Sequence, residues 1–159
     1  MLDLYQMPGH LIRRLNQISV SVFAEAMRRA GHDLTPVQFA ALSALARHPG
    51  VDQATLAGLV AYDRVTLGGV VDRLEAKGLV ARDVSARDRR ARELRLTAEG
   101  RDLLARAEPV VRALQDDILA GLSPAERAEF LRLLQKATEA GNARSRAPLQ
   151  PGAAPVQNG

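Results

Sequence analysis

The sequence predicts a mainly α-helical protein with a small β-wing, in which a winged helix-turn-helix lobe is flanked by further helices. Ala, Leu, Val and Arg are the dominant residues, and this composition favours helices. Apolar residues recur at intervals of three and four along most of the chain, as they do on one face of a helix. Over residues 78–97 they alternate with polar residues instead, which is the pattern of half-buried strands.

The first two helices are bounded by capping residues and helix breakers. An apolar stripe predicts a first helix over residues 8–30, which Gly31 should end. Thr35 is a suitable N-cap for a second helix ending near Arg47, because Pro36 fits the first helical position. A His-Pro-Gly sequence then breaks the pattern.

A helix-turn-helix pattern follows. Asp52 can cap a short helix, QATLAGLVA, and Asp63 can cap a second helix over residues 64–77. A tight connection around Tyr62 joins them, as in a helix-turn-helix motif. Gly78 should end the second helix. The inner apolar face of that helix comprises Leu67, Val70, Val71 and Leu74.

A wing and two long helices complete the predicted fold. The segments GLVARDV and ARELRLT predict two strands, and the basic sequence SARDRRAR joins them. Thr97 should begin the next helix, and Pro109 falls inside its apolar pattern, where proline can kink a helix. Ser123 should cap the last helix, with Glu126 completing a capping box. The apolar face of this helix comprises Phe130, Leu133, Leu134 and Ala137.

Composition excludes several functional classes. A chain of 159 residues fits one domain with a core. It contains no Cys, which excludes disulfides, thiolate metal sites and cysteine redox sensing. Its three scattered His do not make a metal site. Because we find no signal peptide and no apolar run of membrane-spanning length, we expect a cytoplasmic protein without a membrane partner, metal or cofactor.

The positive charge is concentrated in two segments. Residues 82–95 carry six Arg and three acidic residues, and residues 142–159 carry two Arg and no acid. These segments contribute +3 and +2 to a net charge of +4, so the rest of the chain is slightly acidic. Focused positive charge is typical of nucleic-acid binders, although a solvated charged loop has the same composition. The tail 142–159 is also rich in Pro, Gly and Ala and is predicted to be disordered.

Four short fragments occur in a distinctive order and spacing. They are Asp72-Arg73-Leu74-Glu75, Lys77-Gly78-Leu79-Val80, Asp88-Arg89-Arg90 and Leu96-Thr97-Ala98-Glu99-Gly100. With the order of the helices, they resemble the MarR family of bacterial transcriptional regulators over roughly residues 8–140. The opening PGHLIRRLNQ is similar to members that govern catabolism of aromatic acids.

The resemblance implies a homodimer that binds a double-stranded DNA operator. Residues 1–34 and 98–141 would form the helical dimerisation region, and 35–97 the winged helix-turn-helix lobe. Helix 64–77 would enter the major groove, and the wing would reach the adjacent minor groove. A small aromatic effector would bind between the two regions and weaken DNA binding.

Predicted DNA-binding residues lie on helix 64–77 and the wing. They are Arg64, Thr66, Gly68, Gly69, Arg73, Arg87, Asp88, Arg89, Arg90 and Arg92. Arg64 suits bidentate contact with guanine, and Thr66 a base or a phosphate; a solvated helix start is the alternative for Arg64. Many family members carry a Thr-Arg pair where this chain has Gly68-Gly69. The bare backbone either allows closer approach to DNA or reflects tolerance of a weak helix.

The resemblance assigns separate roles within the wing. Asp88 would pair with a neighbouring Arg and organise the loop. Arg90 or Arg89 would then insert into the minor groove, for which Arg is suited. Arg87 and Arg92 would meet phosphates.

Predicted ligand-binding residues are His10, Arg13, Arg14, Gln38 and Phe39. Arg can bind a carboxylate through two hydrogen bonds, and His10 can hydrogen-bond a ring substituent or titrate near neutrality. Arg13 and Arg14 could equally make salt bridges at the dimer interface or the surface.

The predicted function is therefore a repressor released from a palindromic operator by a small aromatic carboxylate, such as a benzoate-, cinnamate- or nicotinate-type acid. The alternatives are a helical homodimeric adaptor and a small enzyme, neither binding DNA. The sequence has no phosphate-binding loop, paired-histidine metal motif or nucleophile elbow, so no catalytic residue is predicted.

Overall fold

A computed structural model of the chain describes residues 3–85, 88, 90 and 92–152. In chain order its elements are α1 (Pro8–Arg29), α2 (Pro36–Arg47), α3 (Gln53–Val60), α4 (Arg64–Ala76), β1 (Val80–Val84), β2 (Arg92–Leu96), α5 (Ala98–Ile118) and α6 (Pro124–Gly141). Short 3-10 turns occupy Leu4–Gln6 and Asn142–Arg144. The predicted fold class, mainly α-helical with a β-wing, is confirmed.

The helices begin at the predicted capping residues. Thr35 accepts a hydrogen bond from the backbone N–H of Gln38 (3.3 Å), and the Gln38 side chain accepts one from the N–H of Thr35 (3.1 Å). Ser123 and Glu126 form the same reciprocal pair at the start of α6. Pro109 lies inside α5, which continues past it as one helix. Each cap satisfies N–H groups that lack a partner within the helix, and so fixes where the helix begins.

One hydrophobic core is shared by α1 to α5 and the β-hairpin. β1 and β2 pair antiparallel, with Val80 opposite Leu96, and Val51 forms an isolated bridge with Leu94. The predicted inner face of α4 is fully buried. The largest fully buried side chains include Met27, Leu42, Leu45, Leu56, Leu67, Leu74, Leu94 and Leu114.

The last helix, α6, contributes no buried residue to this core. Its Leu131 and Leu134 line an open, mainly apolar cleft of about 650 Å³ together with Leu11 and Ile12 of α1. All four of these side chains are exposed in the single chain. An apolar surface of this kind is unusual on a monomeric protein and typical of an interaction site.

Residues 142–152 contact the helix-turn-helix, although the sequence predicts disorder for the whole tail 142–159. The backbone N–H of Gln150 donates to the carbonyl of Gly58 in α3 (2.8 Å). The Asn142 side chain closes a loop, because its Nδ2 donates to the carbonyl of Leu149 (3.0 Å) and its Oδ1 accepts from the Leu149 N–H (2.8 Å). Composition alone carries no information on such long-range packing. Residues 153–159 lie outside the described residues.

Candidate nucleic-acid interface

The helices α3 and α4 form the predicted helix-turn-helix. Residues 61–63 separate them, and the chain bends by 108° at this turn, within the range typical of the motif. Ala61 ends α3 in the left-handed conformation, with φ of 54°. In the described part of the chain, no single helix is long and apolar enough to cross a membrane, and the bent pair α3–α4 meets that test only as two helices together.

The first turn of α4 is exposed, because the buried side chains lie on the opposite face of the helix. Arg64, Val65 and Thr66 are all exposed. Val65 is 88% exposed and was missed as a candidate by the sequence analysis. Its position outside the apolar stripe of α4 was the available signal. A valine at this position suits contact with the methyl group of thymine.

Asp63 fixes the start of α4. Its carboxylate accepts hydrogen bonds from the backbone N–H of Thr66 (2.9 Å) and from the Thr66 hydroxyl (2.7 Å). These hydrogen bonds, the backbone one first, lower the pKa of Asp63 below its ordinary value. Since its hydroxyl proton is donated to Asp63, Thr66 would have to release Asp63 before donating to a phosphate.

The two glycines of α4 have different surroundings. A Cβ at Gly68 would lie 3.0 Å from Nε2 of Gln53 in α3, whereas a Cβ at Gly69 would approach Nη2 of Arg73 at 3.9 Å. Gly68 therefore leaves room for Gln53, a reason within the protein that the sequence analysis did not include. For Gly69, closer approach to DNA and tolerance of a weak helix both stay open.

Arg82 joins the wing to α4. Its guanidinium pairs with Asp72, its Nε lies 3.6 Å from Oε2 of Glu75, and its Nη2 donates to Oε1 of Gln53 (3.4 Å). The Arg82 side chain is only 29% exposed. Arg82 belongs to the cationic segment of the sequence, but its side chain connects the base of the wing to α4. Its place opposite Leu94 puts it on the face of the hairpin that meets the core.

The tip of the wing is organised by Asp88. Its Oδ1 accepts a hydrogen bond from the backbone N–H of Arg90 (2.9 Å), which is the pattern of an Asx turn. The predicted partner of Asp88 was an arginine side chain, whereas this contact is to the backbone. Arg90 and Arg92 are exposed and available to a ligand. Arg87 and Arg89 lie outside the described residues.

The predicted ligand residues are not brought together within one chain. Phe39 lines an open cleft of about 750 Å³ between α2 and α5. Gln38 is buried, caps α2 and does not line this cleft. His10, Arg13 and Arg14 lie on the first turns of α1, and Arg13 donates to the side chain of a neighbouring glutamine on the same helix.

The Phe39 cleft carries ionisable side chains that the sequence analysis missed. Arg47 and His48 line it from the end of α2, and Glu108 and Arg112 line it from α5. The spacing of Glu108 and Arg112, one helical turn apart, was the available signal. The cleft can therefore offer cations and an aromatic face to a small anion. Among the described residues, no group of three His, Asp or Glu side chains could hold a metal ion.

Comparison with known proteins identifies the family. A family model described as the MarR family matches residues 32–91. NicR, an HTH-type transcriptional repressor of Pseudomonas putida, is 34% identical over 134 residues, which cover 84% of this chain and 84% of NicR. The chain belongs to the MarR family. The prediction of a DNA-binding transcriptional regulator rather than an enzyme is confirmed by this membership.

Solved structures share the fold of this MarR-family chain. PcaV of Streptomyces coelicolor, solved in complex with its natural ligand, is 34% identical with a TM-score of 0.77, over 89% of this chain and 98% of PcaV. BpsR of Bordetella bronchiseptica, whose DNA binding is regulated by 6-hydroxynicotinic acid, is 31% identical with a TM-score of 0.81, over 87% of this chain and 98% of BpsR. Both comparisons include the winged helix-turn-helix lobe and the flanking helices.

Proposed function

We propose that this MarR-family protein is a homodimeric repressor that binds a palindromic operator and releases it when a small aromatic carboxylate binds. The observation that carries the proposal is the exposed first turn of α4 beside a basic wing, with Arg82 tying the wing to α4. An exposed helix end and an adjacent basic hairpin can occupy the major and minor grooves of one duplex. The repressor NicR, similar over most of the chain, supports the direction of regulation.

The open apolar surface of α1 and α6 supports the dimer. Leu131 and Leu134 of α6 face the same cleft as Leu11 and Ile12 of α1. In a two-fold dimer the same patch of each copy covers that of the other, so one patch per chain is sufficient. Two copies also carry two α4 helices, which matches the two half-sites of a palindromic operator.

On α4, the proposed contacts are of three kinds: contacts with bases, close approach of the backbone, and contacts with phosphates. Arg64 donates two hydrogen bonds to a guanine, and Val65 contacts a thymine methyl group. Gly69 allows the backbone of α4 to approach the bases closely, with Gly68 beside it. Thr66 and Arg73 bind phosphates, Thr66 after releasing Asp63.

In the wing, Arg90 enters the minor groove. The Asx turn at Asp88 holds the backbone of Arg90, which positions that side chain at the tip of the hairpin. Arg92 is exposed at the start of β2 and meets a phosphate. Arg87 and Arg89 keep their predicted roles as a phosphate contact and an alternative minor-groove residue.

The effector site is the Phe39 cleft. Phe39 offers an aromatic face, and Arg47 or Arg112 can bind a carboxylate through two hydrogen bonds. The regulation of BpsR by 6-hydroxynicotinic acid, an aromatic acid, supports this ligand class. The cleft is open to solvent within one chain, and we infer that His10, Arg13 and Arg14 of α1 complete the site only in the dimer, while the buried Gln38 holds the start of α2 next to Phe39.

Binding to labelled duplexes from the DNA upstream of the protein's own gene tests the proposal. Fluorescence anisotropy should show affinity that falls steeply between about 50 and 200 mM salt, because several phosphates are contacted. Benzoate-, cinnamate- and nicotinate-type acids are then titrated into the complex, and one class should release the DNA. Arg112→Ala should keep DNA binding and weaken this release. Absence of binding to every duplex at low salt would refute the operator function, and failure of every acid would refute the effector class.

A further inference from the structure

The C-terminal segment that follows α6 lies against the helix-turn-helix, beside the N-terminal end of α4 that carries the proposed DNA contacts. Arg146 Nη2 is 3.7 Å from Oδ2 of Asp63, the N-cap of α4. Pro148 and Gln150 border a shallow cleft that Tyr62 and Arg64 line from the other side. The segment thus brings Arg146 to the start of α4, with Arg144 two residues before it along the chain, and residues 142–152 contain no acid.

We propose that residues 142–152 form a docked arm that binds the DNA backbone, with Arg144 and Arg146 contacting phosphates beside the first turn of α4. This inference rests on the proposed binding of duplex DNA by α4. It adds a third cationic contact to α4 and the wing, and the ligand is the phosphate backbone of the same duplex.

Docking of the arm depends on specific contacts. The N–H of Gln150 donates to the carbonyl of Gly58 (2.8 Å). A Cβ at Gly58 would lie 2.9 Å from Oε1 and 3.1 Å from Cβ of Gln150, and a Cβ at Gly152 would lie 3.2 Å from Cδ2 of Leu59. Both glycines therefore allow an approach that larger residues would obstruct. Such fit on both partners indicates a defined position for the arm.

The arm presents its cations to solvent. The two hydrogen bonds between Asn142 and Leu149 close a loop that contains both arginines. Arg144 is exposed, and the Arg146 side chain is 89% exposed. An exposed ion pair such as Arg146–Asp63 contributes little to stability, so it does not commit Arg146 to the protein.

The arm lies beside the first turn of α4 and does not cover it. With the arm docked, Arg64, Val65 and Thr66 all remain exposed. An inhibitory segment would be expected to bury these side chains or to carry acidic residues that mimic phosphates. The arm does neither, since it has a charge of +2 and leaves the first turn open.

The test compares salt dependence of operator binding for the full-length dimer and three variants. Arg144→Ala/Arg146→Ala removes up to four phosphate contacts per dimer, so the slope of log K against log[salt] should flatten by about 2–4. The ratio of wild-type to variant affinity should therefore fall by roughly 16- to 250-fold as salt rises from 50 to 200 mM. Asn142→Ala keeps both charges but removes the two loop-closing hydrogen bonds. Its salt slope should therefore lie between those of the wild type and the double arginine variant. Deletion of 142–159 should match the double arginine variant.

A charge-matched control separates a local contact from a change in net charge. Arg28→Ala/Arg29→Ala also removes two exposed cations. Arg28 and Arg29 lie at the C-terminal end of α1, close in sequence to Asp33. Asp33 binds Lys77 at the C-terminal end of α4, about 20 Å from Arg64 at the other end of that helix. This control should keep the wild-type slope. Sedimentation and circular dichroism should show an unchanged dimer and fold in every variant.

Several outcomes would overturn the arm. It is refuted if the double arginine variant keeps the wild-type slope, if deletion of the arm tightens binding, or if Asn142→Ala has no effect. Arg90→Ala is measured in parallel, because it tests the wing and not the arm. Loss of affinity in Arg90→Ala with an unchanged double arginine variant refutes the arm alone, whereas no effect in either refutes the proposed binding mode as well.

Discussion

Among the described glycines, Gly100 is the one where an added methyl group would meet the closest neighbour, at the junction of α5 and the wing. It lies in the first turn of α5 and is buried. A Cβ at this position would lie 2.0 Å from the carbonyl oxygen of Leu79 and 3.0 Å from its carbon. Both atoms belong to the backbone, so no side-chain rotation relieves the overlap. Gly100→Ala must therefore move the start of α5 away from Leu79 by about 1 Å, because Cβ contacts below 3.0 Å are essentially not observed.

The size of the effect follows from the interactions that this movement disturbs. The N–H of Thr97 donates to the carbonyl of Leu79 (3.1 Å), and its hydroxyl donates to the carbonyl of Gly78 (2.7 Å). Each hydrogen bond contributes about 0.5–1.5 kcal/mol net, and overpacking costs about 1–3 kcal/mol. Replacing a helical Gly by Ala returns about 0.5–1 kcal/mol. The free energy of unfolding should thus fall by about 1–5 kcal/mol.

Thermal unfolding at fixed protein concentration measures this decrease. A decrease of about 3 kcal/mol corresponds to about 6–12 °C in Tm for a chain of this size. Gly69→Ala is the matched control, since a Cβ there meets one atom at an ordinary distance of 3.9 Å. The control should be as stable as the wild type or slightly more stable, because Ala favours the helix. If Gly100→Ala melted at the wild-type temperature, the reasoning from the Leu79 overlap would be refuted.

Three further predictions concern the wing and the pH dependence of stability. Arg90→Ala should weaken operator binding and flatten its salt slope by about 1 for each phosphate that is no longer neutralised, while the dimer stays intact, and unchanged affinity would exclude the wing. Arg82→Ala should weaken binding with no change in salt slope, because this side chain pairs with Asp72 and does not reach phosphates; a flatter slope would place it on the DNA. Hydrogen bonds from Thr55, chiefly from its backbone, lower the pKa of Asp52 below its ordinary value of 3.8. The ionised carboxylate therefore stabilises the fold above that pH and ceases to do so as the pH falls through the folded-state pKa. Asp52→Asn should lose less stability than the wild type between about pH 5 and pH 2 in urea unfolding, and equal losses would contradict this.

The helices of this protein are predictable because their signals are local. A capping box such as Thr35 with Gln38 joins residues three apart, and the apolar stripe of α4 repeats within one helix. The family fragments extend that prediction to the wing and the function. None of these signals depends on how distant parts of the chain pack.

The roles of individual arginines depend on that packing and were less predictable. The cationic segment 82–95 has a uniform composition, yet Arg82 pairs with Asp72 of α4 and Arg95 pairs with Glu93. The first pair exists because the wing packs against α4, whereas Glu93 and Arg95 are two residues apart on β2 and so lie on the same face of the strand. Arg90, in contrast, is exposed on the tip of the wing. Charge density marks the wing as a candidate interface, but the structure separates the arginines that are paired within the protein from those that are exposed.

Glycines inside helices are the sequence signal that would have revealed more of the packing. A helical glycine costs about 1 kcal/mol relative to alanine, so its presence calls for a compensating reason. Gly58 faces Gln150 of the arm, Gly68 faces Gln53, and Gly100 faces the backbone of Leu79. Each of these neighbours is distant in sequence, and no local pattern names it. Gly69 differs, since a Cβ there would lie at an ordinary van der Waals distance, 3.9 Å, from its nearest neighbour, Nη2 of Arg73. Among the described glycines of the helix-turn-helix, Gly69 is thus the one whose missing side chain no close neighbour explains, and the proposed close approach to DNA has most support there.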